Sequence, residues 1–178
     1  MNKWWKMICR IGSYVGLKIH YADPNGFGVQ YNGDGHAVAD CTRLAAHEVG
    51  HYLIATPASR KLLNFGLGPD PDYGSMLSET VLKVSGRKTA YMVSLEESLS
   101  DVLGVLIQRA IGDDWMDTCK RHGWNRCITE EWPYENLYGV MAHELKELEK
   151  RKLVVDGIPV CVRDVIHPDV IRGREMVE

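Results

Sequence analysis

The chemistry in this chain is concentrated in His47-Glu48-Val49-Gly50-His51, an H-E-x-x-H pattern. On a helix, residues four apart share a face, so the imidazoles of His47 and His51 can point at one place. Two fixed nitrogens suit a first-row metal, zinc above all, with ferrous iron as the other candidate. Glu48 lies one step round the helix. There it can reach a metal-activated water without ligating the metal, and take that water's proton as general base. The competing reading is a chance pentapeptide with two core histidines and a solvated glutamate. The flanking residues argue against it, because Leu44, Ala45, Ala46, Val49, Leu53 and Ile54 leave the helix apolar on nearly every face. Such a helix must be buried, and two histidines and a glutamate on a buried helix need partners, which a metal supplies.

The elements that would position these groups are legible on either side. Asp40 or Thr42 can cap the motif helix, which runs to about Ala55 before Pro57 stops it. Downstream, Leu95, Leu99, Val102, Leu103 and Leu106 recur at helical spacing within residues 94–112 and define a second core helix. Glu97 and Asp101 are four apart on it and share a face. Ser94 with Glu97 also fits a capping box, a purely structural use of that glutamate.

Upstream, Val15, Leu17, Ile19 and Tyr21 alternate with polar or small residues as a strand does. A turn at Asp23–Gly26, a strand at Gly28–Tyr31, a turn at Asn32–Gly35 and a short run at His36–Ala39 complete a small N-terminal sheet. His20 and His36 read as strand histidines satisfied at the surface. A basic segment at Ser59–Leu63 leads into a Gly/Pro/Asp-rich loop at 66–75, either a wall of the site or an ordinary surface excursion. Asp113–His122 reads as a short helix and Trp132–Leu153 as a longer amphipathic one with Glu and Lys at i,i+4 spacing. In that helix His143-Glu144-Leu145-Lys146-Glu147 lacks a second histidine and reads as a solvated face. Val154–Val160 is a hairpin turning at Asp156-Gly157, and the tail from Arg163 is expected to be loosely ordered.

Composition sets limits. At 178 residues the chain is read as a single domain, 1–178, with a sizeable core. A net charge of -3 argues against nucleic acid as partner. No run of apolar residues is long enough to span a bilayer, and Arg10 interrupts the only signal-like stretch, so no membrane partner is expected. Cys9, Cys41, Cys119, Cys127 and Cys161 are odd in number and contain no C-x-x-C, which suits reduced thiols in a cytoplasmic setting. Cys119, His122 and Cys127 have the spacing of half a second zinc site, without a fourth ligand nearby.

H-E-x-x-H followed by a helix carrying E-x-x-x-D resembles the gluzincin branch of the zinc metallopeptidases. The resemblance implies His47, His51 and Glu97 as zinc ligands, Glu48 as general base, and Asp101 as the partner of the first histidine. Three protein ligands would leave a position open for water, as catalytic zinc requires. Adjacent helical positions diverge by about 100°, so Glu96 and Glu97 cannot both face the histidines. Glu96 shares its face with Ser100, which carries no charge. The metzincin pattern does not fit, since Ile54 and Pro57 stand where it needs glycine and histidine. A peptidase also needs a residue to stabilise the developing oxyanion, and Tyr91, His122 and His143 are the candidates.

Residues 47–72 are also similar to a segment of the elongation factor P hydroxylase family, through Arg60, Leu63, Asn64, Phe65, Gly66, Pro69 and Asp70. That similarity implies non-haem iron on the same two histidines and a carboxylate. Tyr52 and Leu67-Gly68 depart from its pattern. A third possibility is a non-enzymatic binding protein whose metal is only structural, closed by His20 or His36. The reading adopted is an α+β, zincin-like fold with a helical core and a small N-terminal sheet. Its expected activity is zinc-dependent hydrolysis of a peptide or protein substrate.

Overall fold

Asn2 starts the first helix, α1 (Lys3–Val15), its side-chain oxygen accepting a hydrogen bond from the Trp5 backbone N–H at 2.8 Å. Trp5, Ile8 and Ile11 recur at helical spacing and are buried, so this face belongs to the core. Gly16 ends the helix in the left-handed region at φ 98°, and Leu17 N–H returns to the Gly12 carbonyl at 2.8 Å. The computed structural model describes residues 2–21, 30–31, 33–61, 90–121 and 141–166. The strand expected from Val15 therefore begins only at Lys18. A 3.6-residue period with an asparagine cap and a glycine stop overrides the short alternation read across 15–21.

The sheet that follows contains β1 (Lys18–Tyr21), β2 (Gln30–Tyr31) and β3 (His36–Ala39) in the order β1-β3-β2. β1 runs parallel to β3 with Lys18 opposite His36, and β2 runs antiparallel to it with Tyr31 opposite Ala37. Ala37 and Ala39 turn inward and are buried. His20 and His36 meet each other, Nε2 to Nδ1 at 2.8 Å, which satisfies both as strand histidines. The turn at Asp23–Gly26, with Gly28, Val29 and Asn32, lies outside the described residues.

α2 (Thr42–Ile54) carries the H-E-x-x-H segment. Its N-cap is Cys41, with no side-chain cap bond, so neither Asp40 nor Thr42 plays the capping role expected of it. The C-terminal end is as expected, with Ala55 at the cap. A single turn at Ser59–Lys61 follows; residues 62–89, including the loop at 66–75, are outside the described set. α3 (Ala90–Ile111) begins four residues before Ser94, so Ser94 sits inside the helix and not at its N-cap. Leu99, Val102, Leu103, Val105, Leu106, Ile107 and Ile111 of α3 are buried and make it the central element of the core.

The remaining described elements are α4 (Trp115–Arg121), α5 (Ala142–Lys150), the hairpin β4 (Val154–Val155) with β5 (Ile158–Pro159), and α6 (Val160–Val165). Asp156 and Gly157 take φ 53° and 71°, the paired positive values that the Asp-Gly turn predicts. α5 bears the expected surface pairing, with Glu147 contacting Arg151 at 3.0 Å. Of the tail from Arg163, residues 163–166 are described and continue α6 to its cap at Ile166; residues 167–178 lie outside the described residues. Cys161, Val162 and Ile166 are buried, and Tyr14 donates to Asp164 at 2.9 Å. Among the described residues the result is an α+β arrangement, mainly helical with two small sheets, and no helix there is long and apolar enough to cross a membrane.

Among the described elements, α2 and α3 make the most extensive helix–helix contact. A Cβ placed on Gly50 would lie 2.7 Å from the Ser100 carbonyl oxygen, and one on Gly104 would lie 3.1 Å from the His47 nitrogen. Gly50 meets Ser100 while the earlier Ala46 and His47 meet the later Gly104, so the two helices run antiparallel. Small residues at Ala46 and Gly50, and at Ser100 and Gly104, let the backbones touch. Glycine to alanine inside a helix ordinarily stabilises by about 0.5–1 kcal/mol. Here the sign should reverse. Gly50→Ala is expected to destabilise by about 1–3 kcal/mol through overpacking, measured by urea unfolding. A Gly50→Ala variant as stable as wild type would contradict the close contact.

Candidate metal centre

His47 and His51 project from α2 one turn apart, and Glu97 and Asp101 project from α3 one turn apart. Antiparallel packing brings the two pairs together. Nε2 of His51 lies 3.2 Å from one Glu97 oxygen, and Nε2 of His47 lies 3.6 Å from the other. The two Nε2 atoms are 2.8 Å apart, and the rings stand nearly perpendicular at 86°. Behind them, Nδ1 of His47 is 2.8 Å from Asp101 Oδ1. His51, Glu48 and Ser100 are buried, whereas the His47 and Glu97 side chains keep 16% and 13% of their surface exposed. The group is thus rooted in the core and open to solvent on one side.

The donor atoms of His47, His51 and Glu97 form the one cluster among the described residues able to hold a metal ion. Their chemistry fits one. A carboxylate can only accept, so an Nδ1–H of His47 directed at Asp101 would leave Nε2 as a lone pair; the 2.8 Å contact is of ion-pair length but is not aligned as a hydrogen bond. That lone pair faces a second imidazole nitrogen and a carboxylate oxygen, an arrangement that favours a cation at its centre. Tetrahedral bonds of zinc length put neighbouring donors about 3.3–3.4 Å apart, within the range of separations here. A metal ion of this class is therefore compatible with the group, and zinc and ferrous iron both accept such a donor set.

Glu48 stands beside the cluster without joining it. It is 5% exposed, and burial pushes its carboxyl up to about 7; His47 pulls it down and Glu97 adds to the rise. Those two influences place it within electrostatic reach of the donors.

The structure brings His47, His51, Glu97 and Asp101 together, with Glu48 buried within electrostatic reach of His47 and Glu97. Glu96 is not in the cluster, as the helical phase required. Ser100 is the residue that sequence reasoning missed. It was set aside as a face-mate of Glu96 without charge, yet its Oγ lies 3.0 Å from Nδ1 of His51. The signal was present, since Glu97, Ser100, Asp101 and Gly104 follow i, i+3, i+4, i+7 spacing and form one stripe.

Other expected sites are not brought here. His143 is exposed on α5, while the Tyr91 side chain and His122 lie outside the described residues. Cys119 is fully buried on α4, where burial pushes its thiol up to about 12. Cys127 is outside the described residues. His20 and His36 are occupied with each other and do not close the cluster. Of the residues shared with the hydroxylase segment, Arg60 is described, its guanidinium 4.3 Å above the Tyr52 ring. The others, from Leu63 to Asp70, lie outside. A cleft of about 380 Å³ lined by Asp40, Arg43, Gln108 and Asp113, among others, shares no residue with the cluster.

No protein-family description matches this chain, no curated protein matches its sequence, and no solved structure matches its fold. Function is therefore read from the donor geometry. Glu97→Ala should abolish tight metal binding and Glu96→Ala should have little effect. Asp101→Ala should weaken binding by about 10–100-fold, as loss of a histidine's supporting partner does. Competition against a chromogenic chelator measures all three. Metal loss in Glu96→Ala with retention in Glu97→Ala would overturn the assignment.

Proposed function

We propose that this protein is a zincin-type metallopeptidase, holding zinc on His47, His51 and Glu97 and hydrolysing peptide bonds in a peptide or protein substrate. The observation that supports this reading is a buried carboxylate, Glu48, beside the donor cluster but outside it. A merely structural metal would give no use to such a group, and its burial would be an uncompensated cost.

Zinc bound at this place supplies Lewis acidity, polarising a carbonyl and acidifying a water. The protein's own groups supply the remainder. Glu48 takes the proton from the attacking water and delivers it to the leaving amine. Asp101 holds the His47 ring in the orientation and tautomer that ligation needs. Glu97 contributes one negative charge, so the three donors would retain net positive charge with a dication bound, while Asp101 and Glu48 add negative charge around them. The partial exposure of His47 and Glu97 leaves a route for substrate.

Two imidazoles and a carboxylate also compose the donor set that ferrous iron uses in oxygen-activating sites. This favours a second reading, a hydroxylase acting on a protein. The difference lies in Glu48, which hydrolysis needs as a base and oxygen activation does not.

Protein purified without added metal should contain zinc near stoichiometry and cleave an unstructured protein substrate. Glu48→Gln should keep that metal while turnover falls by about 10²–10⁴-fold. Stoichiometric iron, with oxygen-dependent modification of a protein substrate, would replace the peptidase reading with the hydroxylase one. Full activity in Glu48→Gln would remove Glu48 as the base.

A further inference from the structure

The two histidines of the cluster are supported differently. His47 has a carboxylate behind it, whereas His51 has the hydroxyl of Ser100, wholly buried at the point where α2 and α3 touch. Ser100 Oγ makes two contacts, one to Nδ1 of His51 at 3.0 Å and one to the Glu96 carbonyl oxygen at 2.8 Å. A hydroxyl has a single hydrogen. The carbonyl can only accept, so that hydrogen goes to Glu96, one turn back along the helix, where helical serines commonly bond. The oxygen then has only lone pairs to offer His51, and Nδ1 must donate.

We infer that Ser100 is a positioning residue for His51: by accepting from Nδ1–H it keeps the ring hydrogen away from Nε2, which is thereby free to ligate. The inference rests on the reading of His47, His51 and Glu97 as metal donors. It assigns to neighbouring positions on α3 the same task for two histidines, Asp101 for His47 and Ser100 for His51. The neutral partner has a consequence of its own. A second carboxylate behind His51 would add another negative charge to a cluster that holds Glu97 and has Asp101 and Glu48 beside it. A hydroxyl fixes the ring without that addition. Close packing also restricts the position, because the Ser100 backbone faces Gly50 at a distance where a Cβ would already collide.

The test compares wild type, Ser100→Ala and Ser100→Thr. Zn²⁺ affinity is measured by chelator competition, and metal-free stability by thermal unfolding. The His51 ring tautomer in the zinc-loaded protein is read by ¹⁵N-correlated NMR. Ser100→Ala should bind Zn²⁺ about 10–100-fold more weakly and lose the exchange-protected Nδ1–H of His51. Ser100→Thr, which keeps the hydroxyl, should restore both. The affinity loss should exceed any loss explained by reduced stability of the metal-free form, which a merely structural serine would not produce. Equal Zn²⁺ affinity in wild type and Ser100→Ala, with the His51 signal unchanged, would overturn the inference and leave the metal centre standing. Absence of Zn²⁺ uptake by wild type would remove the donor assignment itself, and the inference with it.

Discussion

The contact between α2 and α3 is the constraint on which the rest depends. Ordinary helix pairs are held 8–10 Å apart by their side chains, and short imidazole and carboxylate side chains then reach one another only if the backbones come close. Gly50 against Ser100 and Gly104 against His47 provide that closeness. Ala46, buried and one turn before Gly50, keeps the same face of α2 shallow. The pairing of small residues is thus as much a part of the candidate metal centre as the donors. Without it, Glu97 could not lie between two histidines that belong to another helix.

This closeness has an electrostatic consequence. Glu48 lies within electrostatic reach of Glu97 where both helices otherwise bury Val49, Leu99, Val102 and Leu103. Carboxylates in such surroundings are costly unless paired, and like charges nearby raise the cost. The upward displacement of the Glu48 carboxyl records that cost. Asp101 and Ser100 moderate it at the histidines, and a cation among the donors would moderate it further. The polar groups are therefore tolerated as a set, and no member is easily understood alone.

Around the helix pair, the N-terminal elements act as a brace. Tyr52, which follows His51 directly, reaches the end of α1, where a Cβ on Gly16 would lie 3.2 Å from its hydroxyl. Arg60 covers the Tyr52 ring, and its carbonyl accepts from the Tyr31 hydroxyl, which in turn accepts from the Gly35 N–H at 3.2 Å. The chain leaving the motif helix is so tied to β2 and the turn before β3. On the other side, Ser98 donates to Glu144 at 2.9 Å and joins α3 to α5. The glutamate of the incomplete H-E segment on α5 has this structural use.

The sequence alone determined the donors that share a helix. Residues four apart on a helix share a face whatever surrounds them, so His47 with His51, and Glu97 with Asp101, were legible as pairs, and helical phase alone separated Glu97 from Glu96. The Asp156-Gly157 hairpin and the length of α2 were legible for the same reason, being local. The end of α1 was local too, but there a helical period and a strand alternation overlap at Val15 and Leu17, and the shorter pattern is the misleading one. What only the tertiary structure decided is how the two pairs meet. Antiparallel direction, the register that sets His51 against Ser100, and the distance permitted by Gly50 and Gly104 depend on contacts between residues some fifty positions apart. No local period encodes them, because they arise from the fit of two surfaces and not from the spacing along either.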